Sequence, residues 1–160
     1  MYSLNPSNGK IKQLQAKEDV ISDYSIANQA FEMVYFGLSA SNSQRLYTYN
    51  LKNDASSCLI DLSKEILKDV TLGEVQDWNF VSAQGDTIYG RFYLPPHFDA
   101  TKKYPMIVNY YGGTTPTARV MESRYPSHIY AGLGYIVYII QPSGATGSAK
   151  SSPHACQRMG

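Results

Sequence analysis

The chain has 160 residues, 43% of them hydrophobic, and a formal net charge of +1. That length holds one ordinary domain or parts of two, and that composition belongs to a packed chain rather than a disordered one. The near-zero charge gives no reason to propose nucleic acid or an anionic membrane as partner, no apolar run approaches a membrane span, and residues 1–6 lack the basic and apolar regions of a signal peptide.

In chain order, residues 1–5 read as a short strand, Pro6-Ser7-Asn8-Gly9 as a turn, and residues 10–15 as the return strand, although Ile11 and Leu14 do not alternate cleanly. Residues 31–38 form a strongly apolar strand, 39–44 a polar turn and 45–51 the next strand; Asn53-Asp54 marks a turn before a strand over 58–62. The 14 tyrosines, against 5 phenylalanines and one tryptophan, favour strands, because broad side chains pack well on a pleated surface. A repeat is visible here. Met1-Tyr2-Ser3-Leu4-Asn5 matches Leu46-Tyr47-Thr48-Tyr49-Asn50, and Leu14 matches Leu59, both at an offset of 45 residues. A period of about 40–50 residues with short strands is the signature of a β-propeller blade.

Residues 63–72 read as a short charged connector with a helical turn. The pattern then changes. Residues 75–81 and 87–94 flank Ala83-Gln84-Gly85-Asp86, a hairpin turn in which glycine supplies a positive φ, and Pro95-Pro96 ends the second strand by removing donors. Residues 105–110 are a short apolar strand, 125–133 a helix with Gly134 as its C-terminal cap, and 135–140 a second short apolar strand. Two apolar strands joined through a helix predict a βαβ unit in a parallel sheet buried on both faces. The architecture therefore switches near residue 70, from antiparallel blades to an α/β sheet.

The segment richest in chemistry is Tyr104-Pro105-Met106-Ile107-Val108-Asn109-Tyr110-Tyr111-Gly112-Gly113-Thr114-Thr115-Pro116, an apolar strand running straight into a Gly-Gly loop. In α/β-hydrolases the loop after such a strand supplies part of the oxyanion hole, where donors face the charge that develops on the carbonyl oxygen. This strand–Tyr-Gly-Gly segment resembles the oxyanion loop of the prolyl oligopeptidase family of serine peptidases, including its dipeptidyl-peptidase-like members. Asp77-Trp78-Asn79-Phe80 with Tyr89-Gly90-Arg91-Phe92-Tyr93-Leu94-Pro95-Pro96 is similar to the entry of that family's catalytic domain. Gly134-Tyr135-Ile136-Val137 and Gln141-Pro142-Ser143-Gly144-Ala145-Thr146-Gly147 are similar to its next strand and glycine-rich loop. Many members carry an arginine in that loop, and this chain has none.

The resemblance covers residues 74–147 by ordered motifs and 1–62 by blade pattern. It implies a mixed fold: the C-terminal part of a β-propeller over 1–70, then the N-terminal part of an α/β-hydrolase domain over 71–147. It implies Tyr111 as an oxyanion-hole hydroxyl, with Gly112 and Gly113 completing the loop, peptides as the parent enzyme's substrates, and no cofactor or metal. The nucleophile, acid and base of the family lie beyond these residues, so the chain alone is expected to be inactive. An esterase or acyl-peptide hydrolase fragment, or a non-catalytic binding fragment, is the alternative.

No two of the twelve glycines stand four apart, so a standard Gly-x-Ser-x-Gly nucleophile elbow is absent from the sequence. Ser143 precedes a glycine but lacks the elbow and reads as a loop residue. His97, His128 and His154 read as surface or packing residues, and Cys58 and Cys156 as free thiols. Residues 148–160 match nothing in the family. One back-translation of residues 148–155, with a single T restored ahead of it, reads Phe-Gly-Gln-Glu-Phe-Ser-Ala-Arg, a plausible family continuation. A one-base loss near Gly147 is therefore expected to have put this tail out of frame.

Overall fold

The computed structural model describes residues 1–112, 117 and 120–141, and the chain divides into two units, Met1–Val70 and Thr71–Gly160.

In the first unit, β1 (Tyr2–Leu4) and β2 (Ile11–Gln13) form an antiparallel ribbon. Strands β3 (Val20–Ile26), β4 (Glu32–Leu38), β5 (Arg45–Asn50) and β6 (Ala55–Asp61) form a four-stranded antiparallel meander in chain order. A short helix, α1 (Ser63–Ile66), follows. The 45-residue repeat is a repeat of pairing as well as of sequence. Tyr2 pairs with Gln13 and Ser3 with Lys12; Tyr47 pairs with Cys58 and Thr48 with Ser57, so both members of each pair advance by 45.

Alternation explains the core. Met33 and Tyr35 on β4 and Tyr47 and Tyr49 on β5 point to one face and are at most 3% exposed. Met1, Leu14, Ala16, Ile21 and Leu51 pack against them. A buried phenol must find a partner for its hydroxyl, and the segment between β2 and β3 supplies one after another. The Gln15 amide donates to the Tyr49 oxygen at 3.1 Å and the Lys17 amide to the Tyr35 oxygen at 2.9 Å. The Tyr47 hydroxyl donates to the Glu18 carboxylate. Tyr35, Tyr47 and Tyr49 thus serve two ends at once: rings in the core, hydroxyls on a strap that crosses it.

Strand β3 was not expected from the sequence. A register shift between Ile21 and Asp23 puts Ile21, Tyr24 and Ile26 on a common face, which breaks the period of two that would have revealed the strand. Strand β6 starts at Ala55 rather than at 58, because Ala55-Ser56-Ser57 pairs with β5 without any apolar signature.

The second unit is a four-stranded sheet in the order β7-β8-β10-β9. Strands β7 (Val75–Val81) and β8 (Thr87–Tyr93) make the expected hairpin, with Gly85 at φ +86° in its turn. Strand β9 (Met106–Tyr110) connects through α2 (Ser127–Gly132) to β10 (Ile136–Gln141), which lies parallel to it. Helix α2 ends in a Schellman turn: the Gly134 amide donates to Ala131 O at 2.9 Å and the Tyr135 amide to Tyr130 O at 3.2 Å, with Gly134 at φ +92°.

The βαβ unit is present, but the sheet is mixed, since β10 runs antiparallel to β8. Burial on both faces holds for β10, where Val137, Tyr138 and Ile139 are at most 5% exposed. It fails for β9, which is at the sheet's edge and exposes Met106, Val108 and Tyr110. An apolar run cannot distinguish a central strand from an uncovered edge strand, because neighbours decide its burial.

Candidate active site

The carboxyl ends of the two parallel strands carry the residues of interest. Tyr110, the last residue of β9, pairs with Ile140, and Gln141 closes β10. Tyr111 follows immediately after β9 and is 55% exposed, in contrast to the core tyrosines. At Gly112 an added Cβ would meet no atom within 4 Å. Packing among the described residues therefore does not require glycine there. Gly113 lies outside the described residues.

A polar cluster stands beside this end of the sheet. The Thr117 amide donates to Gln141 Oε1 at 2.8 Å, and Gln141 Nε2 donates back to the Thr117 carbonyl at 2.6 Å. The Thr117 hydroxyl donates to Ile140 O at 3.1 Å. Both residues are buried, at 8% and 6% exposure, so each of these polar groups relies on its partner. The sequence reading placed Gln141 only at the head of a glycine-rich loop and missed Thr117. The available signal was a glutamine closing the otherwise apolar strand Ile136–Gln141, since a buried amide at a strand end needs a polar partner.

On one face of the sheet, Phe92 stacks on Tyr138 with centroids 4.3 Å apart, and Trp78 meets Tyr138 edge-on at 5.5 Å. Burial pushes the Tyr138 phenol's pKa up. Across β7 and β8, Arg91 pairs with Asp77 at 2.6 Å. Of the histidines, His97 is exposed in the loop after Pro95-Pro96, at φ +58°, and His128 lies in the first turn of α2, edge-on to Tyr93 at 5.0 Å. Those positions agree with surface and packing roles. His154, Ser143, Cys156 and the rest of the loop over 142–147 lie outside the described residues; Cys58 is a free, exposed thiol. Among the described residues there is no cluster that could hold a metal ion, and no helix is long and apolar enough to cross a membrane.

No family model matches the chain. Individual proteins do. It is 28% identical over 148 residues to dipeptidyl-peptidase 5 of Porphyromonas gingivalis, a match that covers 92% of this chain and 21% of that protein. It is 34% identical over 85 residues to human dipeptidyl peptidase 8, covering 49% of this chain and 9% of that protein. Among solved structures, the acylaminoacyl peptidase of Pyrococcus horikoshii superposes with a TM-score of 0.72 at 20% identity, over 89% of this chain and 22% of that one. Dipeptidyl peptidase 4 of Porphyromonas gingivalis superposes with a TM-score of 0.69 at 17% identity, over 90% and 21%. These likenesses establish the fold; the chain spans about a fifth or less of the length of each of these proteins.

Proposed function

We propose that the chain belongs to the prolyl oligopeptidase family, joining the C-terminal part of a β-propeller to the N-terminal part of an α/β-hydrolase domain, and that it is a fragment of a serine peptidase that cleaves short peptides through an acyl-enzyme. Residues 1–70 are the propeller part, 71–147 the start of the peptidase domain, and 148–160 a tail read out of frame. When a serine attacks a peptide carbonyl, the carbonyl oxygen becomes an oxyanion that needs donors already in place. The Tyr111 hydroxyl is one such donor, and the Gly112-Gly113 backbone lets the substrate approach without meeting a Cβ.

The observation that carries this reading is the placement of Tyr111. It follows the strand whose carboxyl end lies beside that of β10, and it is 55% exposed where the core tyrosines are buried. Crevices at the carboxyl ends of strands are where open α/β sheets bind ligands. The sequence holds no Gly-x-Ser-x-Gly, which supports the reading that these 160 residues by themselves do not catalyse. The same absence favours a second reading for the chain as encoded, a non-catalytic binding fragment. Ester or acyl-peptide cleavage by the parent would use the same loop.

Tyr111→Phe in the uninterrupted enzyme tests the assignment. Removing one oxyanion donor lowers kcat by roughly 10²–10³, with KM and melting temperature little changed, because the contact strengthens only as charge develops. An unchanged kcat in a folded variant removes Tyr111 from the active site.

A further inference from the structure

Residues 15–19 run between β2 and β3, outside the strand ladders, and side chains of the sheet hold them. The Gln15 amide donates to the Tyr49 hydroxyl and, at 3.3 Å, to Asp54 Oδ1; the Lys17 amide donates to the Tyr35 hydroxyl. The third hold is Glu18, whose carboxylate accepts from the Tyr47 hydroxyl and, at 3.1 Å, from Arg45. The Glu18 side chain is 9% exposed and lies over Gly37. It takes that place at a backbone cost. Glu18 has φ +80°, in the left-handed region where a Cβ crowds the carbonyl oxygen. The other non-glycine residues in that region, among the described ones, are Asp54 and His97, of types that adopt it more readily. A strained backbone of this kind persists where its surroundings over-determine it, and here the surroundings are the two partners of the carboxylate.

We infer that residues 15–19 are a latched strap, with the Glu18 carboxylate as the latch, which opens as a unit from the tyrosine face while the sheet of β3 to β6 stays folded. The holds are coupled through neighbours. Lys17 and Glu18 are adjacent, and the rings of Tyr35 and Tyr47 that receive them stack with centroids 5.1 Å apart. Release of the carboxylate lets the Glu18 backbone return to the ordinary region, which shifts the Lys17 and Gln15 amides relative to β3. None of these three holds is a ladder bond, so opening leaves the strand pairing intact. Local openings of this sort draw on segments with few ladder bonds and exposed backbone. The open strap gives water access to the hydroxyls of Tyr35, Tyr47 and Tyr49, which no longer need the strap as partner. This device is independent of the peptidase reading.

Native-state amide hydrogen exchange at single-residue resolution, in the 160-residue chain, tests the latch. In the unsubstituted chain the Gln15 and Lys17 amides share one protection factor, lower than that of the β4–β5 ladder and nearly independent of low urea, because little surface is exposed on opening. Glu18→Gln keeps the length and an acceptor for Tyr47 but removes the charge that Arg45 pairs with. Protection at Gln15 and Lys17 then falls together, by about tenfold or more, while the ladder amides keep theirs. Glu18→Gly relieves the backbone and removes the carboxylate, and the strap loses at least as much protection as in Glu18→Gln. Protection retained in Glu18→Gly overturns the latch, since the tyrosine bonds would then hold the strap alone. Gln15 and Lys17 exchanging only with the ladder in the unsubstituted chain overturns the separate opening. A Glu18→Gln chain that does not fold also overturns it, since the carboxylate would then hold the whole unit rather than the strap.

Discussion

Gly90 bears the ring of Tyr138 against its bare backbone: a Cβ there would lie 2.1 Å from the phenol oxygen and 2.3 Å from Cε2. No real side chain tolerates that approach, so Gly90→Ala must displace the ring. The Phe92 stack and the Trp78 edge contact would be disturbed with it. Overpacking of this kind costs about 1–3 kcal/mol, so the variant is expected to unfold at lower urea, with an altered near-ultraviolet signal from Trp78. An unchanged urea midpoint would show that the sheet absorbs the methyl freely. The sequence marked Gly90 within Tyr89-Gly90-Arg91 but not its reason, which comes from a side chain on another strand. The same distance hid the Gln141–Thr117 pair, whose bonds join a side chain to backbone 24 residues away. Tyr111 could be singled out as a candidate because its neighbours Tyr110, Gly112 and the apolar strand before them are consecutive in sequence.

Elements were readable where burial alternates and obscure where it does not. The turn at Gly85 and the cap at Gly134 announced the ends of β7 and α2's stop, while the bulge in β3 erased that strand's period. The segment crossing the first unit's core was invisible for a different reason: Leu14 and Ala16 are its apolar contacts with the core, and hydroxyls and charges supply the rest of its hold. Arg45 joins Glu18 at 3.1 Å and Asp61 at 2.9 Å, linking that segment, β5 and β6. Gly37 leaves the room, since a Cβ there would lie 2.7 Å from Glu18 Cγ. The Arg45 guanidinium, through its hydrogen bond, holds the Asp61 carboxyl below its ordinary pKa. A carboxyl lowered in the folded state stabilises the fold above its unfolded value of about 3.9, and that contribution is lost as pH falls through the lower folded value. Arg45→Ala is therefore expected to destabilise the first unit by about 2 kcal/mol near pH 7, chiefly by leaving Glu18 buried without its cation. The gap to the unsubstituted chain should narrow below about pH 4. Urea titrations of both chains at pH 7 and pH 3 check this, and a gap that stays constant across that range would contradict it.

At the scale of the whole molecule, the 45-residue repeat foretold the blade, and the strand pairing repeats at the same offset. The ordered motifs from Asp77 to Gln141 foretold the family, since they fix a succession of turns and strands rather than one local pattern. What they could not foretell is the exposure of β9, which depends on what lies beside it in space. The relatives are several times longer than this chain, which spans 21% of dipeptidyl-peptidase 5 from Porphyromonas gingivalis. We propose that the chain is the central part of an enzyme whose nucleophile is encoded beyond Gly147, in the frame that one restored base reopens. The most direct test is fluorophosphonate labelling of two products of the same locus: the 160-residue chain and the uninterrupted protein read through the restored frame. The account predicts that the uninterrupted protein labels on one serine within a Gly-x-Ser-x-Gly and cleaves short peptides, whereas the 160-residue chain does neither. Labelling of the 160-residue chain, or a folded uninterrupted protein that fails to label, would contradict it.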